Sequence, residues 1–155
     1  MQSASGKIGR VIAVRLAPGE DLLESLKEVC KKHGLCNGLI LSGIGSLHSA
    51  RVLNPVPLPE RKIGYGYGNP IELLGPIEIL SASGTMGLGD NGETLFHVHL
   101  SLSDQNGGGW GGHLIEGNKV LITADFVLGE VDDMNMGRKY NDEVELMVLN
   151  PQPKE

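Results

Sequence analysis

Only one stretch of this chain carries a sustained helical period, and that restricts its fold class more than any other feature. Residues 20–34 read EDLLESLKEVCKKHG, with Leu22, Leu23, Leu26, Val29 and Cys30 on one stripe at helical spacing. Glu20 and Asp21 precede the stripe, Lys31, Lys32 and His33 close it, and Gly34 stands just beyond. Acid at the start and base at the end suit the helix dipole, and glycine suits the C-terminal cap. His33 is then simply a cation at the end of that helix. Almost everything else is strand-forming sequence cut by glycine, which numbers 23 of 155 residues against a usual share of roughly 7%. Aromatic residues make up only 4%, so the core must come from Leu, Ile and Val. One early helix followed by many strands predicts a single α+β domain over residues 1–155, mostly antiparallel and barrel-like.

The strands are separable by their breakers. KIGRVIAVRL (7–16) alternates well enough for a first strand and ends at Pro18-Gly19. NGLILSGIGSLHSARVL reads as strand interrupted by Gly43 and Gly45, and residues 54–70, rich in Pro and Gly, as a loop or loose hairpin. IELLG and IEILSASGTMG follow as two strands, then a turn at Asn91-Gly92. LFHVHLSL and KVLITADFVLG lie on either side of a glycine loop, DDMNMGRKYND is irregular, and EVELMVL is a last strand.

Charge narrows the function classes. The net charge is −6 and the basic residues are scattered, which weighs against a face that grips nucleic-acid phosphates. MQSASGKIGR has no signal-peptide core, and no apolar run nears the ~20 residues of a membrane span. A cytoplasmic protein is expected, with Cys30 and Cys36 as reduced thiols outside any disulfide or zinc-ribbon spacing.

The chemistry concentrates at LFHVHLSLSDQNGGGWGGHLIEG (95–117). Strand alternation points Phe96, Val98, Leu100 and Leu102 to the core and leaves Leu95, His97, His99 and Ser101 on the other face. Two imidazoles about 7 Å apart along a strand can lean onto one ion, with ring nitrogens roughly 2.0–2.1 Å from it. A hairpin through QNGGGWGG would return His113 beside them as a third ligand. Three protein ligands leave a position for water or substrate, and a three-imidazole set suits zinc, with nickel, cobalt or iron as other metals of the same taste. The plainer alternative is a polar pocket without metal. Gly107–Gly109, Gly111 and Gly112 let backbone approach a ligand or a neighbouring subunit, and Trp110 is expected at the loop tip, covering the pocket or packing on that neighbour. Asp125, with Ile122, Ala124, Phe126 and Leu128 on the opposite face, is either a base or histidine-holding carboxylate or an ordinary edge residue. Arg15 is either an anion clamp or a partner in a surface ion pair. His48 fits no spacing to the others and is expected to be structural or exposed.

Taken together, RLAPGEDLLESLKEVCKKHGL, GLILSGIGSL, IEILSASGTMG and FHVHLSLSD…GGHLIEGNKVLITADFVL resemble the plants-and-prokaryotes-conserved (PPC) domain, a family of proposed DNA-binding proteins. The resemblance runs from about Lys7 to Leu149, and HxH followed by GGHL is its most specific part. It implies a compact α+β subunit, a homotrimer, and zinc held by His97, His99 and His113 as in some prokaryotic members. The implied fold is similar to that of acetolactate decarboxylase, though a shared fold says little about reaction. Asp125 stands where many members have Glu, and no RGRP core of an AT-hook is present. The resemblance thus implies a stand-alone prokaryotic PPC protein with a zinc site in a trimeric scaffold and DNA as a candidate partner, which the net charge of −6 disfavours. The alternative is a metal-dependent lyase or hydrolase acting on a small anion, with Asp125 as base and Arg15 as clamp. A third reading is an interaction module whose histidines are vestigial.

Overall fold

In the computed structural model, which describes residues 1–154, the first strand β1 spans Lys7–Leu16 and the helix α1 spans Leu22–His33. The Asp21 carboxylate caps α1 by accepting from the Glu24 amide at 3.3 Å, and its other oxygen accepts from the Gly117 amide at 2.8 Å. One side chain therefore both starts the helix and ties it to the turn before a later strand. Gly34 ends α1 in the left-handed region at φ 62°. Of the expected stripe, Leu22, Leu23, Leu26 and Cys30 are buried and Val29 packs half-buried against the same core.

The remaining strands are β2 (Gly38–Leu53), β3 (Pro55–Pro57), β4 (Tyr65–Tyr67), β5 (Ile71–Leu88), β6 (Thr94–Asp104), β7 (Gly109–Leu114), β8 (Val120–Asp132), β9 (Met134–Asn135), β10 (Arg138–Asn141), β11 (Leu146–Leu149) and β12 (Gln152–Pro153). With β1, five of them form one six-stranded antiparallel sheet in the order β1-β8-β2-β5-β6-β7. This sheet curls until β7 also pairs with the end of β2, through Val52↔Leu114 and Leu53↔His113. Its concave face and α1 enclose a core that includes Leu26, Leu47, Ile79, Leu102, Phe126 and Leu128. The small pairs β3–β4, β9–β12 and β10–β11 decorate this frame. The α+β class with an antiparallel, curled sheet is as the sequence predicts.

Several details differ from the sequence reading, each for a tertiary reason. Gly43 and Gly45 do not interrupt β2. A Cβ on Gly43 would lie 2.5 Å from the Phe126 ring, and one on Gly45, at φ 151°, would lie 2.4 Å from the Thr123 carbonyl oxygen. These glycines let β8 and its core phenyl ring close on β2. IELLG and IEILSASGTMG are likewise one strand, β5. DDMNMGRKYND contains β9 and β10 rather than irregular chain alone, because each finds a partner from the C-terminal segment. Ile122 does not share the core face with Ala124 and Phe126. The β2–β8 register shifts between Gly45 and Leu47, which turns Ile122 out to 67% exposure. Trp110 is not at the loop tip but within β7, opposite Leu102.

The close approach at Gly45 makes a stability test. Gly45→Ala is expected to lower stability by about 1–3 kcal/mol through backbone strain and contact with β8. Gly109→Ala, where an added Cβ meets nothing within 4 Å, should change it by less than about 0.5 kcal/mol. Urea midpoints of the two variants check the contrast, and equal midpoints would contradict it.

Candidate metal centre

The β6 alternation holds as read: Val98, Leu100 and Leu102 are buried, while His99 and Ser101 are exposed and His97 is half-buried on the opposite face. His97 pairs with Thr85 and His99 with Ser83 on β5. On the other side His99 pairs with His113 of β7, so the third imidazole arrives from the adjacent strand at the same level. The ring centroids stand 4.9 Å (His97–His99), 5.1 Å (His97–His113) and 5.7 Å (His99–His113) apart. One ligating nitrogen from each ring lies within 4.8 Å of the others.

The donor set fits a single ion. The Nε2 atoms of His97 and His99 are 3.1 Å apart. Two nitrogens bound roughly 2.0–2.1 Å from one metal at an angle near 100° have about that separation. Two of the rings, His113 and His97, are also biased towards the neutral form. Burial, then the neighbouring His97, His99 and Arg138, push His113 down from 6.5 to about 4. Burial, then Arg138 and His99, lower His97 as well. Neutral imidazoles with free lone pairs are what a metal needs. The Tyr67 hydroxyl stands 3.5 Å from His113 Nδ1, and the two rings pack at 5.0 Å.

Beside the histidines opens a cavity of about 550 Å³, lined by Tyr67, Leu95, Phe96, His97, His113, Arg138 and the β11 residues 146–149. Arg138 carries no signal in the sequence beyond one base in an apparently irregular segment. Only the β10–β11 pairing brings it here, buried, with Nη2 donating to Thr85 Oγ1 at 2.8 Å.

Asp125 and Arg15 are brought together, but not to the histidines. They face each other across the β1–β8 ladder, both exposed, and β2 and β5 lie between β8 and β6. Neither lines the cavity. His33 and His48 are exposed. Cys30 is buried, its thiol pushed up to about 11 chiefly by desolvation, and packs 3.4 Å from the Met86 sulfur. Asp104, which the sequence reading passed over, organises the β6–β7 turn. Its carboxylate accepts from the Asn106 amide at 2.8 Å, the Gly108 amide at 2.9 Å and the Trp110 indole N–H at 3.0 Å.

A curled antiparallel sheet with one helix and three histidines on its β6–β7 edge defines the class of protein. The chain belongs to the Plants and Prokaryotes Conserved (PCC) domain family, which it matches over residues 3–132. It is similar to a metal-containing protein of Archaeoglobus fulgidus, with 29% identity, TM-score 0.78, and coverage of 97% of this chain and 99% of that one. It is similar as well to a plant- and prokaryote-conserved protein of Pyrococcus horikoshii, with 32% identity, TM-score 0.77, and coverage of 96% and 97%. A bifunctional protein GlmU of Synechococcus sp. (strain JA-2-3B'a(2-13)) is 30% identical over 144 residues, 93% of this chain. The chain spans about a fifth of the length of that curated relative, 20%.

The depressed His113 has a consequence for stability. Above about pH 6.5 this ring is neutral in both folded and unfolded chains and contributes nothing. As pH falls towards 4 the unfolded chain takes up a proton that the native ring refuses, so stability is lost across that window. Metal-free protein should therefore show a falling urea midpoint from pH 6.5 to 4, and His113→Gln should flatten the fall. An unchanged slope in the variant would contradict the assignment.

Proposed function

We propose that His97, His99 and His113 hold a zinc ion with one coordination position open towards the cavity, in a homotrimer working in the cytoplasm. The observation that carries this reading is the meeting of three imidazoles on adjacent strands, with one ligating nitrogen each within 4.8 Å. Structural zinc sites close with four protein ligands, whereas the cluster among the described residues offers three. When bound, such an ion polarises a carbonyl or lowers the pKa of a bound water.

The trimer is supported by the outer face of the sheet. Val11 on β1, Leu41 and Ile44 on β2, Leu80 on β5 and Ile122 on β8 are all large, apolar and exposed. Large apolar side chains exposed on one sheet in this number favour association between subunits. The family grouping with DNA-binding proteins finds little support in the electrostatics. A net charge of −6 repels a phosphate backbone unless a basic patch is assembled from several subunits. No helix among the described residues is long and apolar enough to cross a membrane.

The second reading, a metal-dependent lyase or hydrolase acting on a small anion, is favoured by the cavity that adjoins the histidines. In that reading Asp125 as base and Arg15 as clamp would act across a subunit boundary, since within one chain two strands separate Asp125, and three separate Arg15, from β6.

Elemental analysis of purified protein is expected to find about one zinc per chain, lost in His97→Ala and in His113→Ala. Full metal content in the double variant would overturn the ligand set. Sedimentation should give a trimer, shifted towards monomer by Ile44→Glu combined with Leu80→Glu, and a monomeric parent would remove the trimer.

A further inference from the structure

We infer that Arg138 and the apolar walls beside the histidines form a binding site for a small organic carboxylate, its anionic head on the guanidinium and its hydrocarbon part against Leu95, Phe96 and Leu146. Only the second contact of that head, with the ion on the histidines, rests on the zinc reading above.

Arg138 is only 6% exposed, yet among the described residues no carboxylate lies within ion-pair distance of it. A guanidinium keeps its charge and offers five N–H donors. Here Nη2 meets Thr85 Oγ1 at 2.8 Å, Nη1 reaches the Met147 carbonyl only at 3.5 Å, and the buried Nε has no acceptor among the described residues. A tether to one threonine hydroxyl does not need a charge. A buried cation left without a counter-charge is costly, and the cost is relieved when an anion enters.

The surroundings point the same way. Thr85 is the residue opposite His97 on the β5–β6 ladder, so the guanidinium sits one strand from the metal ligands. Among the described residues no acidic side chain lines the cavity, and a divalent ion on the histidines would add positive charge to that of Arg138. The Leu95, Phe96, Leu146 and Val148 walls would gain nothing from an inorganic oxyanion, whereas a short hydrocarbon chain would leave water by covering them. A cavity near 550 Å³ admits a molecule of this size.

The test is calorimetric titration of the metal-loaded protein with butanoate, with 1-butanol and inorganic phosphate as comparators. Saturable binding in about the millimolar range or tighter is expected, with 1-butanol and phosphate each roughly tenfold weaker. Arg138→Met should weaken butanoate roughly 10- to 100-fold, and Arg138→Lys, which keeps charge but loses the planar fork, by less. Elemental analysis of Arg138→Met should find unchanged metal, separating loss of the anion site from loss of the fold. If that variant fails to fold, Arg138→Lys carries the comparison. Protein that takes up no zinc yet binds butanoate in an Arg138-dependent way would sink the zinc reading by the missing metal and leave this site standing. The inference is overturned if butanoate does not saturate, as when a second copy's carboxylate fills the place. It is equally overturned if both variants bind butanoate like the parent, or if phosphate binds as tightly.

Discussion

His99 faces His113 across the β6–β7 ladder, and the rest of the site follows from that register. Side chains alternate faces along a strand, so a slip of one residue would turn His113 towards the core and bring Gly112 or Leu114 to the open face. Three features resist the slip. Asp104 clamps the turn by accepting from two amides and the Trp110 indole. Gly111 and Gly112 lie where a Cβ would come within 2.6 Å of the Leu100 carbonyl oxygen and 2.9 Å of the Leu53 carbonyl oxygen. The end of β2 grips β7 from its other edge. The glycine-rich loop is thus a device for setting register at close range.

That placement carries a cost, which the same strand offsets. Val98, Leu100 and Leu102 on the inner face of β6 are buried in the core, while the outer face gathers imidazoles whose protonation is opposed by burial and by Arg138. Core packing on one side holds a chemically awkward arrangement on the other. Half-buried His97 and His113, and a buried guanidinium with no carboxylate partner among the described residues, would be completed by ligands of opposite demand, a cation for the nitrogens and an anion for the guanidinium.

Local periodicity made some of this legible and tertiary approach hid the rest. α1 was readable because its apolar stripe, its charge order and Gly34 are all local signals, while the capping role of Asp21 emerged only in the structure. His97 and His99 stood out because alternation alone assigns their face, and His113 because a glycine hairpin had to return somewhere. Gly43 and Gly45 read as breakers, since nothing local says that a Phe126 ring and the Thr123 carbonyl need their space. Ile122 was misassigned because a strict two-residue period cannot foresee a register shift. Arg138 was invisible as a site residue: it lies 25 positions after His113, in a segment whose order depends on the β10–β11 pairing.

X-ray absorption at the zinc edge of the purified protein tests the convergence of the three rings most directly. The account predicts an imidazole shell of three nitrogens at about 2.0–2.1 Å with one further light scatterer from water or a carboxylate. A sulfur shell near about 2.3 Å, or fewer than three imidazoles around the metal, would contradict it.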